Sequence, residues 1–276
     1  MLLEEIINFC HTAYSPSNCG NICCTHPDKC PKSCETCLEQ VHYPIRYSNG
    51  RLDYTCSNLL YYYVCKYTNK YESEIEYAFD MIPRLRSYDR YNVLSLGCGA
   101  SPDLIAIEQY NRVNNVNKSI DYWGVDLNQY WKPIHKMIEN YAITQSYGLK
   151  YIYDDVTTLF DHICYKNFNI LTLQYLISFF YNNACILSID DFYNGLIENV
   201  IKYMLPKSII IINDVNSNRR GRDYFTLLSD KLLAHGIKNT YKKRYFNYNI
   251  QNPYMCYGDM YCQNTIKHSY LNILVR

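Results

Sequence analysis

The chain has 276 residues, 48% of them hydrophobic and 19% charged, with a formal net charge of +1. That balance excludes a disordered chain, which needs low hydrophobicity and high net charge, and no apolar run reaches the ~18 residues of a membrane span. The near-neutral total hides a division: residues 1–90 sum to −2, 91–200 to −5, and 201–276, with twelve Lys/Arg against four Asp/Glu, to +8.

The first residues, MLLEEIINFC, carry Glu4 and Glu5 where a signal peptide has a basic region, so a cytoplasmic protein without a membrane partner is expected. Nine of the 14 cysteines then fall within residues 10–65: Cys10, Cys19, Cys23, Cys24, Cys30, Cys34, Cys37, Cys56 and Cys65. In a reducing compartment such crowding favours thiolate metal ligands over a disulfide framework. Tetrahedral zinc takes four ligands. Cys34 and Cys37 with His42 and Cys56 form one expected set, and Cys19, Cys23, Cys24 and Cys30 the other. The Cys30-x-x-x-Cys34-x-x-Cys37 spacing keeps an iron–sulfur cluster as the alternative. A small zinc-binding module over residues 1–68 is therefore expected.

The aromatic-rich segment Leu59–Met81 follows, and its second half reads as a helix. Tyr61, Tyr62, Tyr63, Tyr67 and Tyr71 suit packing against a sheet, with a base-stacking surface as the other reading. From Tyr91 onward, strands and helices alternate. Strands are expected at Tyr91–Leu96, Asp121–Val125, Leu149–Tyr153, Phe168–Leu173 and Ser208–Asn213. Helices are expected at Pro102–Gln109, Trp131–Tyr147, Asp190–Met204 and Tyr224–Ala234, before two β-like runs at Tyr241–Phe246 and His268–Val275. Strands separated by helices imply a parallel sheet covered on both faces.

Ligands of such sheets bind outside the carboxyl ends of the strands. There the first strand runs into Leu96-Gly97-Cys98-Gly99-Ala100-Ser101-Pro102-Asp103, a turn in which glycine permits backbone angles closed to other residues. The second strand ends in Gly124-Val125-Asp126-Leu127-Asn128, putting an acid 27 residues after Gly99, where it suits two ribose hydroxyls. The third ends in Tyr153-Asp154-Asp155-Val156. A nicotinamide dehydrogenase shares the glycines and the acid, but the G-x-G-x-x-G pattern is incomplete here.

Over about residues 70–276 these motifs resemble the class I S-adenosylmethionine-dependent methyltransferase family. The resemblance implies an α/β, Rossmann-like, mostly parallel sheet whose antiparallel last strand belongs to a terminal hairpin, in a domain covering residues 69–276. It implies S-adenosyl-L-methionine as cofactor, held by Gly97, Cys98, Gly99, Ser101, Asp103, Asp126, Leu127, Asp155, Val156 and Gln174. Phe168–Tyr175 (FNILTLQY) looks like the family's fourth-strand motif, which meets cofactor and substrate. Two positions depart from the pattern. Ser95 stands where the family usually has an acid, and Ser101 where it has a third glycine.

The acceptor is less legible. Leu173-Gln174-Tyr175-Leu176 lacks the Asn/Asp-Pro-Pro-aromatic motif of exocyclic-amine methylation, and no cysteine is set to attack a pyrimidine ring. Gln174, Tyr175 and Asp214 remain as catalytic candidates. After the fifth strand, Arg219, Arg220 and Arg222 suit phosphates through bidentate hydrogen bonds, with Lys242, Lys243 and Arg244 as a second cluster. RNA (rRNA or tRNA) is the expected acceptor. A small molecule or protein is the runner-up, and a metal-containing nucleic-acid-binding protein without turnover is the non-enzyme alternative.

Overall fold

In the computed structural model, the described residues are 1–16, 28, 30–42, 53–157, 159–160, 167–182, 186–215, 225–245, 250–251, 265–266 and 269–275. The strands are β1 Arg90–Leu96, β2 Ser119–Val125, β3 Gly148–Ile152, β4 Ile170–Gln174, β5 Ile209–Val215, β6 Thr240–Tyr245, β7 Ile250–Gln251, β8 Thr265–Ile266 and β9 Ser269–Val275. The helices are α1 Leu2–Ala13, α2 Cys34–His42, α3 Ser57–Asp80, α4 Pro102–Val113, α5 Lys132–Gln145, α6 Leu176–Asn182, α7 Ile186–Asn199 and α8 Phe225–Ala234.

Seven strands form one sheet in the order β3-β2-β1-β4-β5-β9-β6. The first five pair in parallel. β9 lies between β5 and β6 and runs antiparallel to both. Because side chains alternate across a strand, the run Ile209–Ile212 divides between two cores. Ile209 and Ile211 join the apolar faces of α1, α3, α4 and α5. Ile210 and Ile212 join α6, α7 and α8 on the opposite face. All four are at most 1% exposed, and each contributes about 1.5–3 kcal/mol by leaving water. Such double-sided burial is why these strands read as continuous apolar runs.

α3 is a single helix of 24 residues, about 36 Å long. Its C-terminal half packs along α4, with Phe79 edge-on to Tyr110 at 5.9 Å. Its N-terminal half carries Tyr61, Tyr62, Tyr63 and Tyr67 and meets α2 in a small third core of Cys34, Cys37, Leu38, Val41, Cys56, Leu59 and Tyr62. The helix stops at Met81, just before Pro83.

The expected boundary between residues 68 and 69 falls inside α3, and Leu2, Leu3, Ile6, Ile7 and Cys10 of α1 belong to the main core beneath the sheet. The physical reason is the apolar stripe of α1, which needs a partner and finds it on α3, α4 and α5. Among the described residues, no helix is long and apolar enough to cross a membrane.

Candidate active site

Between β1 and α4 the backbone visits the left-handed region three times, at Gly97 (φ +69°), Gly99 (φ +49°) and Ser101 (φ +57°). For a residue with a side chain that region costs about 1–2 kcal/mol. A Cβ at Gly97 would in addition press on Leu176 Cδ1 at 3.1 Å. Ser101 tolerates the conformation with its hydroxyl hydrogen-bonded to that of Tyr151 at 2.8 Å.

The turn closes onto the end of β2. The N–H groups of Gly97 and Cys98 both donate to the Val125 carbonyl, at 2.8 and 3.0 Å. The Gly99 N–H donates to Asp126 Oδ2 and the Asn128 N–H to Asp126 Oδ1, each at 2.9 Å. Burial pushes the Asp126 carboxyl up to about 6, against the pull of these two N–H groups. From α5, His135 Nε2 reaches the Gly99 carbonyl at 2.6 Å and Nδ1 the Tyr153 hydroxyl at 2.8 Å. A carbonyl can only accept, so Nε2 carries the proton and Tyr153 donates to Nδ1. The ring stacks flat on Tyr151 at 3.7 Å, and burial lowers its pKa to about 4.

The remaining cofactor candidates separate by environment. Leu127 is 62% exposed beside Asp126, whereas Cys98 and Val156 are buried. Asp155 accepts from both the N–H and the hydroxyl of Thr157, at 2.8 and 2.6 Å, pinning the turn after β3. Asp103 faces the interior. Its carboxylate is buried beneath the turn, accepting from Tyr122 at 2.9 Å, from the Leu104 N–H at 3.1 Å, and from Thr172 and Ser95. It holds α4 to the sheet, with both carboxylate oxygens hydrogen-bonded within the protein. Ser95 is thereby explained as one of the donors to this buried acid.

At the carboxyl ends of β4 and β5 lies a buried polar group that the sequence reading only half anticipates. Tyr175 follows β4 at φ +56°, and its N–H donates to the Asn213 carbonyl at 2.7 Å. Its hydroxyl accepts from Lys70 Nζ at 2.8 Å and donates to Glu74 Oε2 at 2.9 Å. Lys70 Nζ lies 3.5 Å from Glu74 Oε1, and both side chains are nearly inaccessible, at 8% and 0%. Asn213 Nδ2 also donates to Glu74, while Gln174 Nε2 donates to the Tyr71 carbonyl at 2.7 Å. Gln174 Oε1 and Asn213 Oδ1 are buried without a hydrogen-bond partner among the described residues. The third catalytic candidate, Asp214, accepts from the Ser178 N–H at 2.9 Å and so caps the first turn of α6.

Aromatic rings of α3 roof this region. Tyr67 stacks on Tyr71 at 5.6 Å, Tyr71 meets Tyr175 at 4.4 Å, and Tyr63 meets Trp131 at 6.0 Å. Burial pushes the Tyr63 phenol up to about 12; a hydrogen bond with Tyr71 works against this, and the Asp126 and Glu74 carboxylates add to it. Tyr63 thus sits within the field of both carboxylates.

The expected metal centre is not shown by the described residues. Among the described residues, no three of His, Cys, Asp and Glu come together as a metal-binding group. Cys30, Cys34, Cys37 and Cys56 pack as apolar side chains in the third core. His42 is surrounded instead by the rings of Tyr54, Tyr63 and Tyr67 at 5.4–6.4 Å. Burial first, then the charges of Lys70 and Lys66, lower its pKa to about 4. Among the described residues, neither the zinc set nor the iron–sulfur alternative is shown. Cys19, Cys23 and Cys24 lie outside the described residues, as do Arg219, Arg220 and Arg222.

No protein-family model matches the chain, and no curated protein matches it. Solved structures similar to it include an rRNA methylase from Streptococcus thermophilus, with 12% identity, 68% of this chain and 87% of that chain covered, and a TM-score of 0.39. A SAM-dependent methyltransferase from Archaeoglobus fulgidus shows 13% identity, 73% and 94% coverage, and a TM-score of 0.42. The plantazolicin methyltransferase BpumL, in complex with a triazolic desmethylPZN analog and SAH, shows 13% identity, 88% and 96% coverage, and a TM-score of 0.49. Each is a likeness in chain path; the chemistry of the site is read from its own residues.

Proposed function

We propose that the chain is an S-adenosylmethionine-dependent methyltransferase acting on RNA. The observation that carries this reading is Asp126. Its carboxylate stands at the carboxyl end of β2, held to the glycine turn by the Gly99 N–H, beside the exposed apolar side chain of Leu127. A carboxylate oxygen offers two lone pairs, so each retains capacity for a ribose hydroxyl after its backbone bond.

The residues present fit the cofactor at both ends. Asp126 would accept from the ribose, and Leu127 with Asp155 and Val156 would flank the base. Gly97, Cys98 and Gly99 supply the turn over which the donor would lie, and Ser101 holds that turn in shape. The buried, unpartnered Gln174 Oε1 is an acceptor for the ammonium of the methionine part. When bound, the cofactor supplies a methyl group on a positively charged sulfur. The chain contributes alignment and exclusion of water, which are worth most in a direct displacement.

RNA as acceptor is supported by the +8 charge of residues 201–276 and by Lys242, Lys243 and Arg244 on the edge strand β6. Arg219, Arg220 and Arg222 follow β5 in the same segment. The test is calorimetric titration with S-adenosylhomocysteine, followed by incubation with methyl-labelled donor and separate RNA, protein and metabolite fractions. Micromolar binding with label in RNA is the expected result. Absence of binding overturns the reading, and label confined to another fraction replaces RNA as the acceptor.

A further inference from the structure

We propose that Tyr175, Glu74 and Lys70 form a proton relay that activates the methyl acceptor, with Tyr175 as the catalytic residue and Glu74 and Lys70 positioning it. The proposal rests on the methyltransferase reading and adds to it the acceptor class: a protic hydroxyl or amine. Lys70 can only donate and a carboxylate can only accept, so the phenol between them has a defined polarity. Its oxygen faces the ammonium at 2.8 Å and its proton faces Glu74 Oε2 at 2.9 Å. The phenol's own proton therefore leaves toward Glu74, and an incoming proton would replace it at the oxygen.

Three further observations favour chemistry over packing. Tyr175 is held at φ +56°, a conformation rare for an aromatic residue and one that clusters at functional sites. The Lys70–Glu74 pair is buried, where two apolar side chains would often serve stability as well or better. The next residue, Leu176, lies against Gly97, so the phenol belongs to the strand end beside the turn assigned to the donor.

The step balances as follows. The acceptor gives its proton to the Tyr175 oxygen as the phenol proton passes to the Glu74 carboxylate. The electron pair released on the acceptor atom forms its bond to the methyl carbon. The carbon–sulfur bond breaks with its pair remaining on sulfur, so one positive and one negative charge are neutralised together.

The experiment compares wild type, Tyr175→Phe and Glu74→Gln in three measurements: S-adenosylhomocysteine affinity, methyl transfer to the labelled cell fractions, and the reverse-type reaction of iodomethane with S-adenosylhomocysteine, which removes no proton. Tyr175→Phe should keep the affinity and the iodomethane reaction while losing about 10²–10⁴-fold in transfer to protic acceptors. Glu74→Gln should shift the pH–rate profile. In unloaded protein carrying ¹³Cζ-tyrosine, Glu74→Gln should also move the Tyr175 resonance, identified by its loss in Tyr175→Phe.

Equal transfer rates in wild type and Tyr175→Phe overturn the relay, as does an unmoved resonance. Loss of the iodomethane reaction in step with the transfer rate makes Tyr175 structural and also overturns it. A wild type that binds the donor but labels no protic fraction counts against the relay as well. A wild type that does not bind the donor removes the methyltransferase reading itself.

Discussion

Gly99 is held at both of its backbone polar groups by side chains: its N–H donates to Asp126 at 2.9 Å, and its carbonyl accepts from His135 at 2.6 Å. The two side chains come from β2's end and from α5, so the conformation of the turn depends on the docking of both. The position of Asp126 at the end of β2 was legible in the sequence. That this residue is also the clamp of the turn was not.

His135 ties stability to pH. Its folded pKa of about 4 lies below the unfolded value near 6.5, so the unfolded chain binds more protons between those values. Stability from this residue is complete above about pH 6.5 and is lost as pH falls toward 4; the gap corresponds to about 3 kcal/mol. Urea unfolding of wild type and His135→Gln should therefore show a stability difference that grows from pH 4.5 to pH 7. A difference independent of pH would mean that the histidine is not held neutral.

Asp126→Ala should weaken S-adenosylhomocysteine binding by about 1.5–3 kcal/mol, the worth of charge-assisted hydrogen bonds to the ribose. Because burial holds this carboxyl near 6, wild-type affinity should also decline as pH falls below 6, where the acid becomes protonated. The variant should lack that decline. Titrations at pH 5 and 7.5 check both statements.

Gly97→Ala forces a side chain into φ +69° and against Leu176. A loss of about 1–3 kcal/mol in unfolding free energy is expected from the conformation and the contact together. Gly236, with φ +73° and open space around a Cβ, provides the comparison. Ala there should lose only the conformational part.

Lys70→Met strands the Glu74 carboxylate in the interior and should cost about 3–5 kcal/mol. The double variant Lys70→Met/Glu74→Leu should recover a large part of that loss. Equal and additive losses in a double-mutant cycle would show that the two charges do not interact.

Legibility differed by the kind of signal involved. β5 was readable because burial on both faces leaves an unbroken apolar run at Ile209–Ile212, and the glycine turn because left-handed backbone selects residues without a side chain. Lys70 and Glu74 were not, since a Lys and a Glu four apart on a helix ordinarily describe a solvated face. Only the crossing of α3 over the ends of β4 and β5 turns that face inward. The cysteines are hard to read for a related reason. A thiol that packs as a small apolar side chain and one that binds metal leave the same letter, and the difference lies in whether partners converge.

The unbroken run of α3 has a consequence for how the molecule comes apart. Its N-terminal half gives Leu59 and Tyr62 to the small core with α2 and Leu60, Val64 and Cys65 to the main core, to which its C-terminal half also belongs. A protein trimmed to begin at residue 69 would start in mid-helix, without the side chains of α1 that cover the sheet. Loosening the N-terminal segment should therefore be felt at the strand ends, where Tyr63, Lys70 and Tyr71 are carried on that one rod.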